Sequence, residues 1–184
     1  GYGSDLDLVF LHAADPGETV GGRRPIDNTH FFARLGQRVV HMLSTHTTAG
    51  SLYETDMRLR PSGASGLLVS HVNGFKRYQL DEAWTWEHLA LTRARVIAGP
   101  EPLAQGFEAF RGDLLRAKGQ GASVLADVAD MRARIADAKS PQGAWDAKIG
   151  PGRLQDIELF AQAAVLRAGA VARNLTGDAV DIDA

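Results

Sequence analysis

The sequence contains no cysteine, which excludes disulfides and thiolate metal sites and fits a cytoplasmic setting. It has no run of 18 apolar residues, so no membrane span is expected. No secretory signal pattern is visible either. There is no excess of positive charge: the formal net charge is −2, which leaves no bulk electrostatic case for nucleic acid. Lysine is scarce, with 4 Lys against 16 Arg among the 20 basic residues. A GC-rich genome accounts for most of that skew, and guanidinium forks suited to phosphate oxygens account for a few positions. No initiator methionine is present; Gly1 stands in a turn, as expected for an internal point of a longer polypeptide. What remains is ordinary globular composition, 45% hydrophobic and 23% charged over 184 residues, enough for one domain or one and a half.

The chain is organised around Gly3-Ser4-Asp5-Leu6-Asp7-Leu8-Val9-Phe10-Leu11. A Gly-Ser turn followed by alternating apolar residues predicts a strand. Residues two apart on a strand share a face and lie roughly 7 Å apart. Asp5 and Asp7 therefore project together, while Leu6, Leu8 and Phe10 point the other way. Two neighbouring carboxylates repel unless a cation sits between them, and hard oxygen donors of this kind suit Mg²⁺. A solvated strand end would show the same two acids.

His12 to Ile26 is rich in Gly, Pro and charge and predicts an exposed, mobile loop. Asp27, Asn28 or Thr29 can cap the helix that follows. That helix carries Phe31, Phe32, Leu35, Val39, Val40 and Leu43 as one apolar stripe. A second strand is expected over residues 51–60, with Asp56, Arg58 and Arg60 on one face. Pro61 ends it, Ser62-Gly63-Ala64-Ser65-Gly66 is a small-residue loop, and Leu67 to Ser70 reads as a third strand completing a hairpin. Beyond Gly74 the pattern turns helical. Helices are expected over residues 82–95, 103–118, 123–139 and 154–172, followed by an acidic tail that frays.

An Asp-x-Asp strand, a helix, and a later strand bearing one Asp beside two Arg is how a two-metal phosphoryl-transfer site is assembled. Asp5 and Asp7 would hold both Mg²⁺ ions, and Asp56 would complete the set as ligand or base. Arg58 and Arg60 would spread positive charge over a triphosphate. An Asp56 paired with its arginines on a plain surface strand is the competing reading. Backbone N–H groups in the loop of Ser62, Gly63 and Ser65 could meet phosphate, although ordinary turn chemistry selects the same residues. The six histidines show no metal-ligand spacing, so zinc is not expected.

At these residues the sequence resembles a known family. Gly3 to His12 resembles the nucleotidyltransferase signature of the bacterial glutamine synthetase adenylyltransferases. Leu52-Tyr53-Glu54-Thr55-Asp56-Met57-Arg58-Leu59-Arg60-Pro61-Ser62-Gly63-Ala64-Ser65-Gly66 resembles the second block of that family, and Ala83-Trp84-Thr85-Trp86-Glu87-His88 its third. The resemblance implies an α+β fold: a DNA-polymerase-β-like nucleotidyltransferase core with a mixed sheet, over residues 1–79, followed by an α-helical bundle over 80–184. It implies a tyrosine hydroxyl of glutamine synthetase attacking the α-phosphorus of ATP, with pyrophosphate leaving, in a cytoplasmic enzyme of nitrogen metabolism. Asp5, Asp7 and Asp56 match its metal-binding aspartates. Ser4, Arg58, Arg60, Ser62, Gly63 and Ser65 are the residues expected to bind the nucleotide. The PII signal protein and glutamine would act through other regions. The second and third blocks look like the half that adds AMP. The half that removes it by phosphorolysis, and a non-catalytic docking fragment, are the alternatives.

Two departures stand out. The Gly-Gly turn of the family lies upstream of residue 1, so weak ATP binding or poor transfer is expected of these residues alone. Lys148-Ile149-Gly150-Pro151-Gly152-Arg153-Leu154-Gln155-Asp156-Ile157-Glu158-Leu159 displaces a family glycine and replaces an aromatic with Leu159. Asp156 and Glu158 then read as first-turn helix acids in preference to a catalytic role. Trp84 and Trp86 are expected one in the core and one at a domain contact. Glu87, Arg93 and Arg95 read equally well as a phosphate anchor or a buried ion pair.

Overall fold

The computed structural model describes residues 5–50 and 53–169. It is an α+β fold that divides into two compact units, Gly1–Glu82 and Ala83–Ala184. In the first, β1 (Leu6–Asp7) and β2 (Phe10–His12) lead through a loop to α1 (Asn28–Ser44), then β3 (Thr55–Asp56), a single 3-10 turn (Gly63–Ser65), β4 (Val69–His71) and α2 (Val72–Asp81). The second holds α3 (Thr85–Leu91), α4 (Glu101–Gly119), α5 (Val124–Ala138) and α6 (Leu154–Ala168).

Strand pairing departs from the hairpin expected of residues 51–70. β3 and β4 do not pair with each other. Each joins one half of the first strand instead, β1 with β3 and β2 with β4, and both pairs are parallel. A parallel pair needs a crossover, and the segment Arg60–Gly66 gives no hairpin because it curls around the Arg60 guanidinium. The alternation read from the sequence is visible in burial: Asp5, Asp7 and Val9 are exposed, while Leu6, Leu8 and Phe10 are half-buried.

Asp27 caps α1, its Oδ1 accepting the Thr29 N–H at 2.8 Å and the His30 N–H at 3.2 Å. The residue of α1 that packs most closely is Gly36, which is buried. Phe31 and Leu35, expected on the inner stripe, are exposed, because the inner face is taken by Phe32, Gly36, Val39, Val40 and Leu43. The loop before α1 is exposed but tied: Thr19 N–H donates to the Ile26 carbonyl at 2.9 Å, and Asn28 N–H to the Gly17 carbonyl at 2.9 Å. Helix α2 stands as an element of its own ahead of the helix expected over residues 82–95; it buries Val72, Phe75 and Gln79 in the first unit.

The second unit is built around Leu89, Leu115, Val124, Ala163 and Leu166, with Leu91, Val128, Met131 and Leu159 packed on them. Apolar residues from four helices thus meet in one cluster, which supplies most of the stability of each amphipathic helix. Trp84 and Trp86 are both exposed, so neither fills the core as expected. Trp84 caps α3, and its backbone N–H is held by Glu87 Oε2 at 2.9 Å, leaving its ring outside the helix.

Candidate functional site

β1 and β3 are held by Leu6 N–H to the Glu54 carbonyl at 2.8 Å and Leu8 N–H to the Asp56 carbonyl at 2.9 Å. This register sets Asp7 directly opposite Asp56. Residues paired in register on parallel strands project from the same face, about 4.8 Å apart at the backbone. Two carboxylates distant in sequence are thereby brought side by side. Asp5, two residues before Asp7, is exposed just ahead of β1.

Arg58 answers this negative charge. Its Nε donates to Asp56 Oδ2 at 2.7 Å, and its Nη2 pairs with the same oxygen. Asp56 Oδ1 accepts the Arg58 backbone N–H at 2.8 Å, so one residue occupies both oxygens. These bonds hold the Asp56 carboxyl below the usual carboxylate range. The same pairing, with Asp5 and Asp7 adding their charge, raises the Arg58 guanidinium.

Arg60 does something else. Its guanidinium donates to the carbonyls of Met57 at 2.7 Å, Ala64 at 3.0 Å and Gly66 at 3.2 Å. It therefore staples the loop that carries Ser62, Gly63 and Ser65. Ser62 adopts a left-handed backbone with φ of 60°. Ser65 Oγ donates back to the Ser62 carbonyl at 2.8 Å. Gly66 is required by close approach: a Cβ there would lie 1.8 Å from the Pro61 carbonyl oxygen. Ser4 lies outside the described residues.

The donor set suits a hard divalent ion: opposed carboxylate oxygens, with a cationic group already drawn to one of them. Among the described residues no three His, Cys, Asp or Glu side chains are gathered closely enough to form a metal-binding group. The arrangement is thus a carboxylate pair, Asp7 and Asp56, with Asp5 alongside.

Sequence comparison decides the family. The profile of the glutamate-ammonia ligase adenylyltransferases matches residues 1–110. The chain belongs to that family. Proteins described as bifunctional glutamine synthetase adenylyltransferase/adenylyl-removing enzyme are similar over 90% of the chain. That of Pseudomonas syringae pv. tomato is 47% identical over 180 residues, that of Shewanella woodyi 50% over 174, and that of Nitrosococcus oceani 48% over 169. The chain spans 18%, 18% and 17% of their respective lengths. No helix among the described residues is long and apolar enough to cross a membrane.

The segment from Gln142 to Glu158 forms a structural clasp. Asp156 stands in the first turn of α6, where it accepts the Gly152 N–H at 2.8 Å and a two-pronged contact from Arg132 at 2.9 and 2.7 Å. Glu158 lies 3.9 Å from Arg93. Asp146 collects the N–H groups of Gln142, Lys148 and Ile149 at 3.0, 2.9 and 2.9 Å. Arg153 donates to the carbonyls of Ala144, Asp146 and Ile149. Glu87 is buried at the start of α3, where its Oε2 accepts the Trp84 N–H at 2.9 Å.

Sequence reasoning passed over a ring cluster on the β2–β4 pair. His12 is buried, stacked on Phe32 with ring centroids 4.6 Å apart, and meets the edge of His71 at 5.2 Å. The two histidines oppose each other in the β2–β4 register. Only their strand context could have signalled this, and the hairpin reading assigned β4 the wrong partner.

Proposed function

We propose that this chain carries an adenylyl-transfer centre acting on glutamine synthetase with ATP as donor. The observation that carries the reading is Asp7 facing Asp56 across β1 and β3, with Arg58 bonded to Asp56. In the transfer, a tyrosine hydroxyl gives up its proton to water and its oxygen forms a bond to the α-phosphorus of ATP. The bond from that phosphorus to the bridging oxygen breaks, and pyrophosphate leaves with the electron pair. Asp7 and Asp56, with Asp5 alongside, would offer carboxylate oxygens to Mg²⁺, which when bound supplies charge neutralisation at the reacting phosphate. Asp56, whose carboxyl is held low by Arg58, serves better as an oxygen donor than as a proton acceptor.

Arg58 is the cation available to a triphosphate, its side chain being 77% exposed. Arg60 shapes the loop from within, so Ser62, Gly63 and Ser65 present their backbone toward the nucleotide as a fixed turn. The whole-protein setting, with a cytoplasmic location and with PII and glutamine acting through other regions, follows the family. A catalytic core over residues 1–79 and a helical domain over 80–184 is the corresponding division of labour.

The names of the relatives combine adding and removing activities, and the Pro61-to-Gly66 loop and the Ala83-to-His88 block favour adding. Incubating the chain with α-labelled ATP, Mg²⁺ and unmodified glutamine synthetase tests this. Slow passage of label to glutamine synthetase is expected of these residues alone, and Asp7→Asn should abolish it. Phosphate-dependent release of ADP from adenylylated glutamine synthetase, without forward transfer, would assign the removing half. Failure of both reactions together with absence of Mg²⁺-dependent ATP binding would leave only a docking role.

A further inference from the structure

Asp56 already holds a cation, and that cation is tethered two residues away. The carboxylate is sheltered, with its side chain 12% exposed, while the guanidinium that binds it is 77% exposed. Both Asp56 oxygens are engaged: Oδ1 by the Arg58 backbone N–H at 2.8 Å and Oδ2 by its side chain. The backbone bond fixes where Arg58 emerges, and the side chain has open space to leave. An exposed ion pair is weak and readily exchanged.

We propose that Arg58 is a resident counter-cation for the aspartate set, that a divalent ion displaces it from Asp56, and that the displaced fork then takes the nucleotide phosphate. This rests on the reading above, in which Asp7 and Asp56 hold divalent ions. Asp56 Oδ2 cannot serve the guanidinium and a metal ion equally, so the two compete. Competition is reciprocal: whatever binding free energy the arginine contributes to the metal-free state is subtracted from metal affinity.

The partner arginine cannot substitute. Arg60 is committed to the carbonyls of Met57, Ala64 and Gly66, and releasing it would undo the loop. Arg58 has no such duty. A planar fork matched to carboxylate is equally matched to phosphate. Without metal it neutralises crowded carboxylates; with metal bound it is freed at the moment the triphosphate needs it. Metal and nucleotide binding become ordered by a single side chain.

Two measurements on the full chain test this. Mn²⁺ binding is followed by electron paramagnetic resonance without nucleotide, for wild type, Arg58→Gln and Asp7→Asn. Removing the competitor should tighten Mn²⁺ binding about two- to fivefold, while binding of a non-transferable ATP analogue with Mn²⁺ should weaken about tenfold or more. Opposite signs for the two ligands are the signature, since a merely structural arginine would weaken both. In parallel, the ¹⁵Nε–H resonance of Arg58 should shift when Mg²⁺ alone is added. Unchanged or weaker Mn²⁺ binding in Arg58→Gln, or an unmoved Arg58 resonance at saturating Mg²⁺, overturns the proposal. Undiminished Mn²⁺ binding in Asp7→Asn, or none in wild type, overturns the metal-site reading itself, and this inference with it.

Discussion

Gly36 and Val69 lie so close that a side chain on the glycine has no room: a Cβ built on Gly36 would stand 2.6 Å from Val69 Cγ2. Helix α1 therefore rests directly on β4, whose partner β2 continues from the strand that carries Asp7. Removing the glycine sets helix propensity against packing. Alanine gains up to about 1 kcal/mol in a helix interior, but overpacking a fitted contact costs about 1–3 kcal/mol. Gly36→Ala should be net destabilising in urea denaturation. Gly106→Ala, in α4 with nothing within 4 Å of the new Cβ, should be neutral or stabilising. Equal effects at the two positions would show that α1 does not pack as described.

Arg58 and Arg60 should separate cleanly by mutation. Arg60→Lys loses a fork that serves three carbonyls, and each lost bond is worth about 0.5–1.5 kcal/mol. Its melting temperature should fall and its ATP affinity with it, as the loop opens. Arg58→Gln should keep the wild-type melting temperature and change only ligand binding. Calorimetric melts of both variants, beside nucleotide titrations, decide the matter; similar melts would refute the division of roles.

The 61–66 loop predicts an asymmetry between two small residues. Ser62 is in a left-handed conformation that costs an L-residue roughly 1–2 kcal/mol, so Ser62→Gly should be tolerated or slightly stabilising. Gly66→Ala would press a methyl group into the Pro61 carbonyl and should distort the loop, which a drop in ATP affinity without loss of helical circular dichroism would register.

His12 gives a pH dependence with a definite sign. Burial, and then the nearby His71, hold the imidazole below its ordinary value of 6.5, with Asp27 opposing. The unfolded chain therefore takes up this proton at a higher pH than the folded chain. Stability from this residue is complete above about pH 6.5 and falls as pH drops below it toward the folded-state value, where the loss levels off. Denaturation midpoints from pH 8 to pH 5 should decline below 6.5 in wild type and decline less in His12→Phe, which keeps an aromatic ring against Phe32. A His12→Phe profile parallel to wild type would contradict this.

In the second unit, Leu166 is fully buried at the centre of the helical cluster. Leu166→Ala should lose about 2–5 kcal/mol. Gly119→Ala should also fail, because its Cβ would meet the Leu166 carbonyl oxygen at 1.7 Å. Thermal melts of the two variants should both be lowered, and a wild-type melt for either would refute the packing of α4 on α6.

The sequence alone determined what depends on neighbours along the chain. Alternation around Asp5 and Asp7 placed acids outside and Leu6, Leu8 and Phe10 inward, because a strand has a period of two. Helical periodicity located α1, α4, α5 and α6 within a few residues, and three family blocks named the lineage. Tertiary structure decided everything that depends on which segments meet. It paired β1 with β3 and β2 with β4 in place of a hairpin, since strand partners are chosen by register and crossover, which leave no local mark. It also split two arginines that look alike in sequence, Arg58 turning out to Asp56 and Arg60 turning in to three carbonyls. The aspartate pair needed both: composition and spacing supplied the carboxylates, and only the parallel register set Asp7 against Asp56.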